Sequence, residues 1–451
     1  MVRFFRIVAV CLAGIFSRPA TAAAPEAMLV VIGDMHSAYD RTAQFVGHVD
    51  RLRAENPGVP LAVLIDGDTF ELGNAVARRS AGAIEFALLA ALAQRAPTIL
   101  NLGNHEPEFF DMAATVARIS AAGVTVIGGN VLDRATGRPF APASTRLALG
   151  GREATVVGLT TDNLATFRVA IRPDLDLADP VVWSRRHLPA LLDGTALPIV
   201  LSHAGLRADR EILPLVPEGT LFAGAHDHLR FVHRQGRTVY FHSGSWTESL
   251  SVARLIRAGD GFRWEVTPVR IAPADPGEPA LARLIAATLA QHLTPEETAV
   301  VGRLPQALDP GDAALFAVGA VRTAAGADAA VIGATTFGAG LPAGDVSRFA
   351  FDACVRFDGT LYVAELNGAH LRQILARANQ GPDTPFAERR GENLVAVAPV
   401  AIEPGRRYRL VTTDWVAHHA GQYFGSEPPA FAETPGLKLK PVVAAALAPK
   451  K

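Results

Sequence analysis

Five short polar clusters in this chain hold residue types that bind divalent cations. They are Gly33-Asp34-Met35-His36, Asp66-Gly67-Asp68, Gly103-Asn104-His105-Glu106, Ser202-His203 and Gly224-Ala225-His226-Asp227-His228. Carboxylates, an amide carbonyl and imidazoles make a mixed oxygen and nitrogen donor set, which suits zinc, manganese, iron or similar ions better than calcium. A carboxylate has two oxygens, so Asp68 can bridge two cations. Asp34 and His36, two apart, face one side if extended backbone runs on through them, and the same holds for His226 and His228. Glycines beside the donors permit tight turns and close approach of backbone to a metal. Each cluster alone is weak, because a D-x-H triplet arises by chance and Asp66, Asp68 or Asn104 can serve as turn or cap residues. Their joint placement carries the signal.

Each cluster follows a short apolar run. Runs at 28–32, 61–65, 98–102, 124–127, 154–159, 198–201, 219–222 and 238–241 read as strands. Continuous apolar strands belong to sheets covered on both faces, and a helix over 83–95 fits one covering layer, so the class expected is layered α/β. In open α/β sheets, ligand sites lie beyond the carboxyl ends of strands, so five loops can deliver donors to one cleft. Residues 272–279, APADPGEP, read as a linker, followed by a helix over 280–292. A second region has strands at 329–332, 360–366 and 407–412 and a helix over 369–378; the Ala/Lys/Pro-rich end from 438 is expected to be loosely ordered.

Length and composition agree with this division. A chain of 451 residues exceeds what one core usually organises, and 49% hydrophobic with 19% charged residues is globular. A formal charge of −1 gives no general field for nucleic acid or an anionic membrane, so an anionic substrate must be drawn by a metal or a few arginines. Arg3 and Arg6 precede an apolar run over 7–16 and then small residues, the pattern of a cleavable secretory leader, with cleavage after Ala22 or Ala24. The run is shorter than the roughly 20 residues of a membrane-spanning helix, so no stable anchor is expected. Of two cysteines, Cys11 would leave with the leader and Cys354 would stand alone. An exported chain with no disulfide framework fits a bacterial periplasm.

The cluster series resembles the calcineurin-like metallophosphoesterases, with motifs D-x-H, G-D, G-N-H-[DE], H and G-H-x-H. Its order and its pairing with a second region resemble the bacterial UDP-sugar hydrolase/5′-nucleotidase family. Ala225 stands where the last motif commonly has glycine, which predicts a slightly more crowded turn. The resemblance implies a four-layer α/β sandwich with a smaller C-terminal α/β domain. It divides the chain into a leader at 1–24, a dinuclear domain at 25–272, a linker and helix at 273–293, a substrate domain at 294–440 and a flexible tail at 441–451. It implies two divalent cations (Zn, Mn, Fe, Co or Mg). Asp34, His36, Asp68 and His228 would hold one, and Asp68, Asn104, His203 and His226 the other. His105 would face the substrate, oriented by Glu108 where the family has aspartate.

In that family the second region stacks a nucleobase between aromatics and grips phosphate and ribose with arginines and an aspartate. Phe357 and Phe424 take the stacking positions, with ordinary core aromatics as the alternative reading. The family arginine before the G-L-P turn is Gly338 here, and the ribose-binding aspartate is Gln422; Arg303 and Arg322 are possible stand-ins. His242, at another strand end, is expected to be structural rather than to line the cleft. The expected activity is hydrolysis of a small phosphate monoester, a 5′-nucleotide or related nucleotide. The alternatives are a 2′,3′-cyclic nucleotide or sugar phosphate as substrate, or a periplasmic metal-binding protein without turnover.

Overall fold

A computed structural model describes residues 24–448. The leader expected at 1–24 falls almost wholly outside these residues. Two six-stranded sheets form the first domain. In one, Ala27–Gly33, Leu61–Asp66, Thr98–Asn101 and Thr125–Ile127 run parallel, extended by the antiparallel hairpin Ser249–Ala258 and Gly261–Arg270. In the other, Thr238–Ser243, Leu221–Gly224, Leu197–His203 and Arg152–Thr160 run parallel between antiparallel edges Arg230–Gln235 and Ser144–Leu149.

Strand alternation explains why these runs are apolar throughout. Leu29 and Val31 pack between the sheets with Leu64, Ile199, Leu201, Phe241 and Trp264. Val30 and Ile32 point the other way, onto helices Thr42–Glu55, Ala83–Ala93, Met112–Ala121 and Pro279–His292. Val157, Val200, Phe222 and Tyr240 likewise leave the second sheet to meet helices Pro180–Leu191 and Leu206–Ile212. The result is helix, sheet, sheet, helix, the four-layer sandwich expected.

The second domain is a five-stranded sheet in the order Leu394–Val397, Ala329–Gly333, Arg407–Thr413, Thr360–Asn367, Ala432–Lys438. Helix Pro310–Ala324 covers one face and Gly368–Leu375 the other. Cys354 is a free, buried thiol in that core.

Two expectations are corrected. The flexible tail is for the most part helix Leu439–Leu447, whose Leu439, Val443 and Leu447 are 0–2% exposed and complete the second core. Period-four spacing of those three residues is the available signal, hidden by the Ala/Lys/Pro composition. Leu439→Ala should cost about 2–5 kcal/mol, the usual range for emptying a buried leucine site, read as a fall in urea midpoint. The segment expected as a linker is strapped to the first domain: His48 Nε2 lies 2.8 Å from Asp275 Oδ2, and Glu278 N–H donates to Ala43 O at 2.9 Å. Helix Pro279–His292 belongs to the first core through Leu281 and Ile285. The chain crosses to the second domain only after it.

Candidate metal centre

Carboxyl ends of both sheets meet at one place, and all five clusters emerge there. Asp34, Asp68 and Asn104 follow strands of the first sheet; His203, His226 and His228 end or follow strands of the second. Their approach differs from the extended geometry expected of Asp34/His36 and His226/His228. The strands stop at Gly33 and Gly224, and Asp34, His36, Asp68, His226 and His228 all take left-handed backbone, with φ from 46° to 78°. Side chains reach the cleft by a turn, not by strand alternation. Such backbone is uncommon outside glycine and gathers at functional sites. Surrounding contacts hold it: Asp34 N–H donates to Gly67 O at 3.1 Å, and His226 N–H meets both Asp34 carboxylate oxygens at 3.1 Å. Gly67 is needed at its position, since φ is +71° and an added Cβ would stand 2.5 Å from His203 Nδ1. Ala225 is buried without left-handed backbone, its Cβ close against Gly33, where an added Cβ would stand 3.2 Å from it.

The donor atoms converge. His36 Nε2 lies 3.0 Å from His228 Nε2, and each of these atoms lies 3.9 Å from Asp34 Oδ1. His203 Nε2 lies 3.1 Å from Asp68 Oδ2, and His226 completes a second group with them. Donors bound to one cation at about 2.0–2.2 Å sit roughly 3–4 Å apart, so these spacings suit a metal. Two buried atoms, Asn104 Oδ1 and His203 Nε2, have no hydrogen-bond partner in the protein, while His203 Nδ1 faces Asp66 O at 2.8 Å. With its proton on Nδ1, His203 offers an Nε2 lone pair inward.

Electrostatics point the same way. Burial lowers His36 to about 4 and His226 to about 3, and holds His228 well down, so all three are neutral donors at pH 7. Burial pushes Asp34 well up, and Asp68 beside it adds to that. Burial would also raise Asp68, but His203 and His105 hold it well below the usual range. Burial opposes a charge on His203, yet Asp68, Asp34 and Asp66 raise it well above normal, so its Nε2 lone pair becomes available to a cation on loss of that proton. Asp34, Asp66 and Asp68 crowd beside these imidazoles, so the cluster favours added positive charge.

His105 stands at the rim with its side chain 20% exposed and Nδ1 2.5 Å from Glu108 Oε1. Burial works against its proton, but Asp68, Glu108 and Glu71 lift it to about 9. Glu106 is turned inward and accepts from the N–H groups of Asp68, Thr69 and Gly103 at 2.6–3.0 Å, bracing that loop. Asp227 faces away, its Oδ2 accepting from Leu206 N–H at 2.5 Å. His242 is buried, with Nε2 2.7 Å from the Tyr240 hydroxyl, which donates to Asp209; it is structural, as expected.

A cleft of about 890 Å³ runs from His36 between the two domains, lined by Glu71, Trp246, Leu341, Phe349, Arg356 and Phe357 among others. Phe357 is 56% exposed there. Phe424 is not: it is buried against Phe431 and Tyr423 in the second domain's core, because helix Ala420–Phe424 turns it inward. The expected pair of stacking aromatics is therefore not formed. Gly338 is explained first by the Ala353 carbonyl oxygen, which would stand 2.3 Å from a Cβ, and then by the Trp246 ring at 3.0 Å. Arg303 pairs outside the cleft with Asp345 at 2.8 Å, and Arg322 does not line it. The arginine that enters from the second domain is Arg356. Sequence alone singles out neither it nor Glu71 nor Trp246, since each is one residue without a spacing partner.

Residues 28–230 match the family described as Calcineurin-like phosphoesterase, and residues 302–426 match 5′-nucleotidase, C-terminal domain. No curated protein matches the chain by sequence. Among solved structures, a 5′-nucleotidase precursor from Thermus thermophilus is similar at 17% identity and TM-score 0.58, over 93% of this chain and 96% of that one. The sulfate thiohydrolase SoxB of Thermus thermophilus is similar at 15% identity and TM-score 0.63, over 96% and 95%. The 5′-nucleotidase of Candida albicans is similar at 12% identity and TM-score 0.57, over 96% and 99%. These likenesses are of fold.

Proposed function

We propose that this chain, which joins a calcineurin-like metallophosphoesterase domain to a 5′-nucleotidase C-terminal domain and so is a metal-dependent phosphoester hydrolase, holds two divalent cations and cleaves phosphate monoesters of nucleotides. The count is supported by two of the three converging donor groups, Asp34/His36/His228 and Asp68/His203/His226, which share no residue, whereas the third, His36/Glu71/His105, reuses His36. Asn104 Oδ1, buried without a partner, joins the second, and Asp68 lies between the two. The leader pattern at Arg3, Arg6 and the apolar run after them supports action in the periplasm or outside the cell. Among the described residues no helix is long and apolar enough to cross a membrane.

The two donor groups would hold divalent cations, which would supply neutralisation of phosphoryl charge and activation of water. The protein's own part is orientation and proton supply. Glu108 holds the His105 ring by Nδ1, leaving the other ring nitrogen for the substrate. Protonated His105 donates to a phosphoryl or leaving oxygen, where its positive charge counts most as negative charge develops. Phe357 offers one exposed π face at the cleft, to which a flat base can stack.

A second reading, a phosphate ester other than a 5′-nucleotide, is favoured by Phe424 lying in the core and by Gly338 facing Trp246. 5′-Nucleotidases and a sulfate thiohydrolase share this fold, so substrate is decided in the cleft. With Mn²⁺ supplied, p-nitrophenyl phosphate should be hydrolysed, and AMP should surpass 2′,3′-cyclic AMP and a sugar phosphate in kcat/KM. Turnover of the aryl phosphate without AMP would sink the nucleotide reading. Binding of metal with no turnover on any substrate would leave a binding protein.

A further inference from the structure

Glu71 forms a third donor group with His36 and His105, outside the two proposed cation sites, and Arg356 is ion-paired with it. His36 presents Nε2 to the candidate cation site and Nδ1 to the opposite side, where that buried atom makes no aligned hydrogen bond and Glu71 Oε2 lies 3.3 Å away. The same carboxylate is ion-paired with the Arg356 guanidinium, and its Oε1 accepts from Gly73 N–H at 2.9 Å. Side chains of Glu71 and Arg356 are only 11% and 9% exposed. Arg356 comes from the second domain, where Nη1 donates to Thr335 O at 3.2 Å. Its guanidinium lies 4.7 Å from the ring of Trp246 and 4.9 Å from that of Phe357, and Trp246 stacks on His36 at 4.9 Å and 23°.

Burying an ion pair costs about as much desolvation as attraction returns, so stability alone is a poor reason for this one. Position is a better reason. An imidazole that binds a cation through one nitrogen is fixed in tautomer and direction by an acceptor on the other. Glu71 is the group facing Nδ1, and Arg356, Gly73 and the Trp246 ring leave its carboxylate and the His36 ring little freedom.

We infer that Glu71 and Arg356 are positioning residues for the metal centre: Glu71 accepts from His36 Nδ1–H and so aims Nε2, and Arg356 makes that contact depend on the second domain. The inference rests on His36 being a metal ligand. Its test is metal binding by the full chain, not turnover: Mn²⁺ titration followed by the spin resonance of the free ion, with Co²⁺ absorption as a second signal. The parent should take two equivalents. Glu71→Ala should weaken one equivalent by about 10–100-fold, the usual loss on removing such an acceptor, and leave the other unchanged. Glu71→Gln, whose amide oxygen still accepts a hydrogen bond, should recover part of it. Arg356→Ala should weaken the same equivalent, and the double variant should be no worse than Glu71→Ala alone, as residues in one chain of contacts behave.

Unchanged affinities in Glu71→Ala, or additive losses in the double variant, would overturn the inference. So would equal weakening of both equivalents unrelieved by Gln, which marks a structural role. A parent that binds fewer than two equivalents would overturn the ligand assignment, and this inference with it.

Discussion

Asp68→Asn should lose the second equivalent of metal and reduce turnover by roughly 10³-fold or more, on the scale of removing a preorganised electrostatic group. Asparagine keeps the shape and can still accept from His105 N–H, which meets Asp68 Oδ1 at 2.8 Å. What it lacks is charge and the second anionic oxygen, which lies 3.1 Å from His203 Nε2 and 3.8 Å from His36 Nε2. Between the metal-free parent and variant two effects oppose: the change relieves Asp34 of a repelling charge, and it removes the charge that His203 and His105 hold ionised. Added metal should separate them. At a free concentration 100 times Kd the parent gains about 2.7 kcal/mol per site, and the variant gains from one site at most. An Asp68→Asn protein that still titrates two equivalents would end the bridging assignment.

His105→Ala should behave oppositely, keeping both equivalents while kcat falls by about 10²–10⁴-fold, the range for losing a general acid. Its side chain belongs to neither proposed cation group, although it clusters with His36 and Glu71; its close partner is Glu108. The pH profile gives the sharper test. Despite burial, Asp68, Glu108 and Glu71 raise this imidazole to about 9, so the protonated, active form persists through neutral pH. Activity should therefore fall as pH rises through that value, or lower once cations add positive charge nearby. His105→Ala should lack this alkaline limb. A variant with the limb intact would transfer the acid role elsewhere.

Much of the site is legible in the sequence because a strand followed by a donor is a local signal. Asp34, Asp68, Asn104, His203, His226 and His228 each stand close to the end of an apolar run, so topology alone gathers them. The hairpin Ser249–Ala258 and Gly261–Arg270 is absent from the strands expected, although Gly259-Asp260-Gly261 marks its turn. What escapes is tertiary. Glu71, Trp246 and Arg356 come from three separate segments, and nothing in their neighbours announces the meeting. Phe424 escapes for a related reason: an aromatic in a short helix is core or cleft according to what packs on it, and Phe431 decides that here. The extended backbone expected at Asp34 and His36 brings the right atoms by the wrong path.

The true path limits which amino acids this centre can use. Five of the candidate donors, Asp34, His36, Asp68, His226 and His228, sit on left-handed backbone. Apart from glycine, such backbone is tolerated best by Asn, Asp and His. Cysteine is an equally capable donor in other proteins but is not among the residues these φ values favour, and a longer glutamate arm gains no local relief. The turns thus edit the ligand alphabet before any metal arrives. They favour a hard, oxygen- and imidazole-rich centre without thiolate, one ill suited to soft ions such as Cu(I). A cysteine-based variant would have to rebuild the loops, not just exchange side chains.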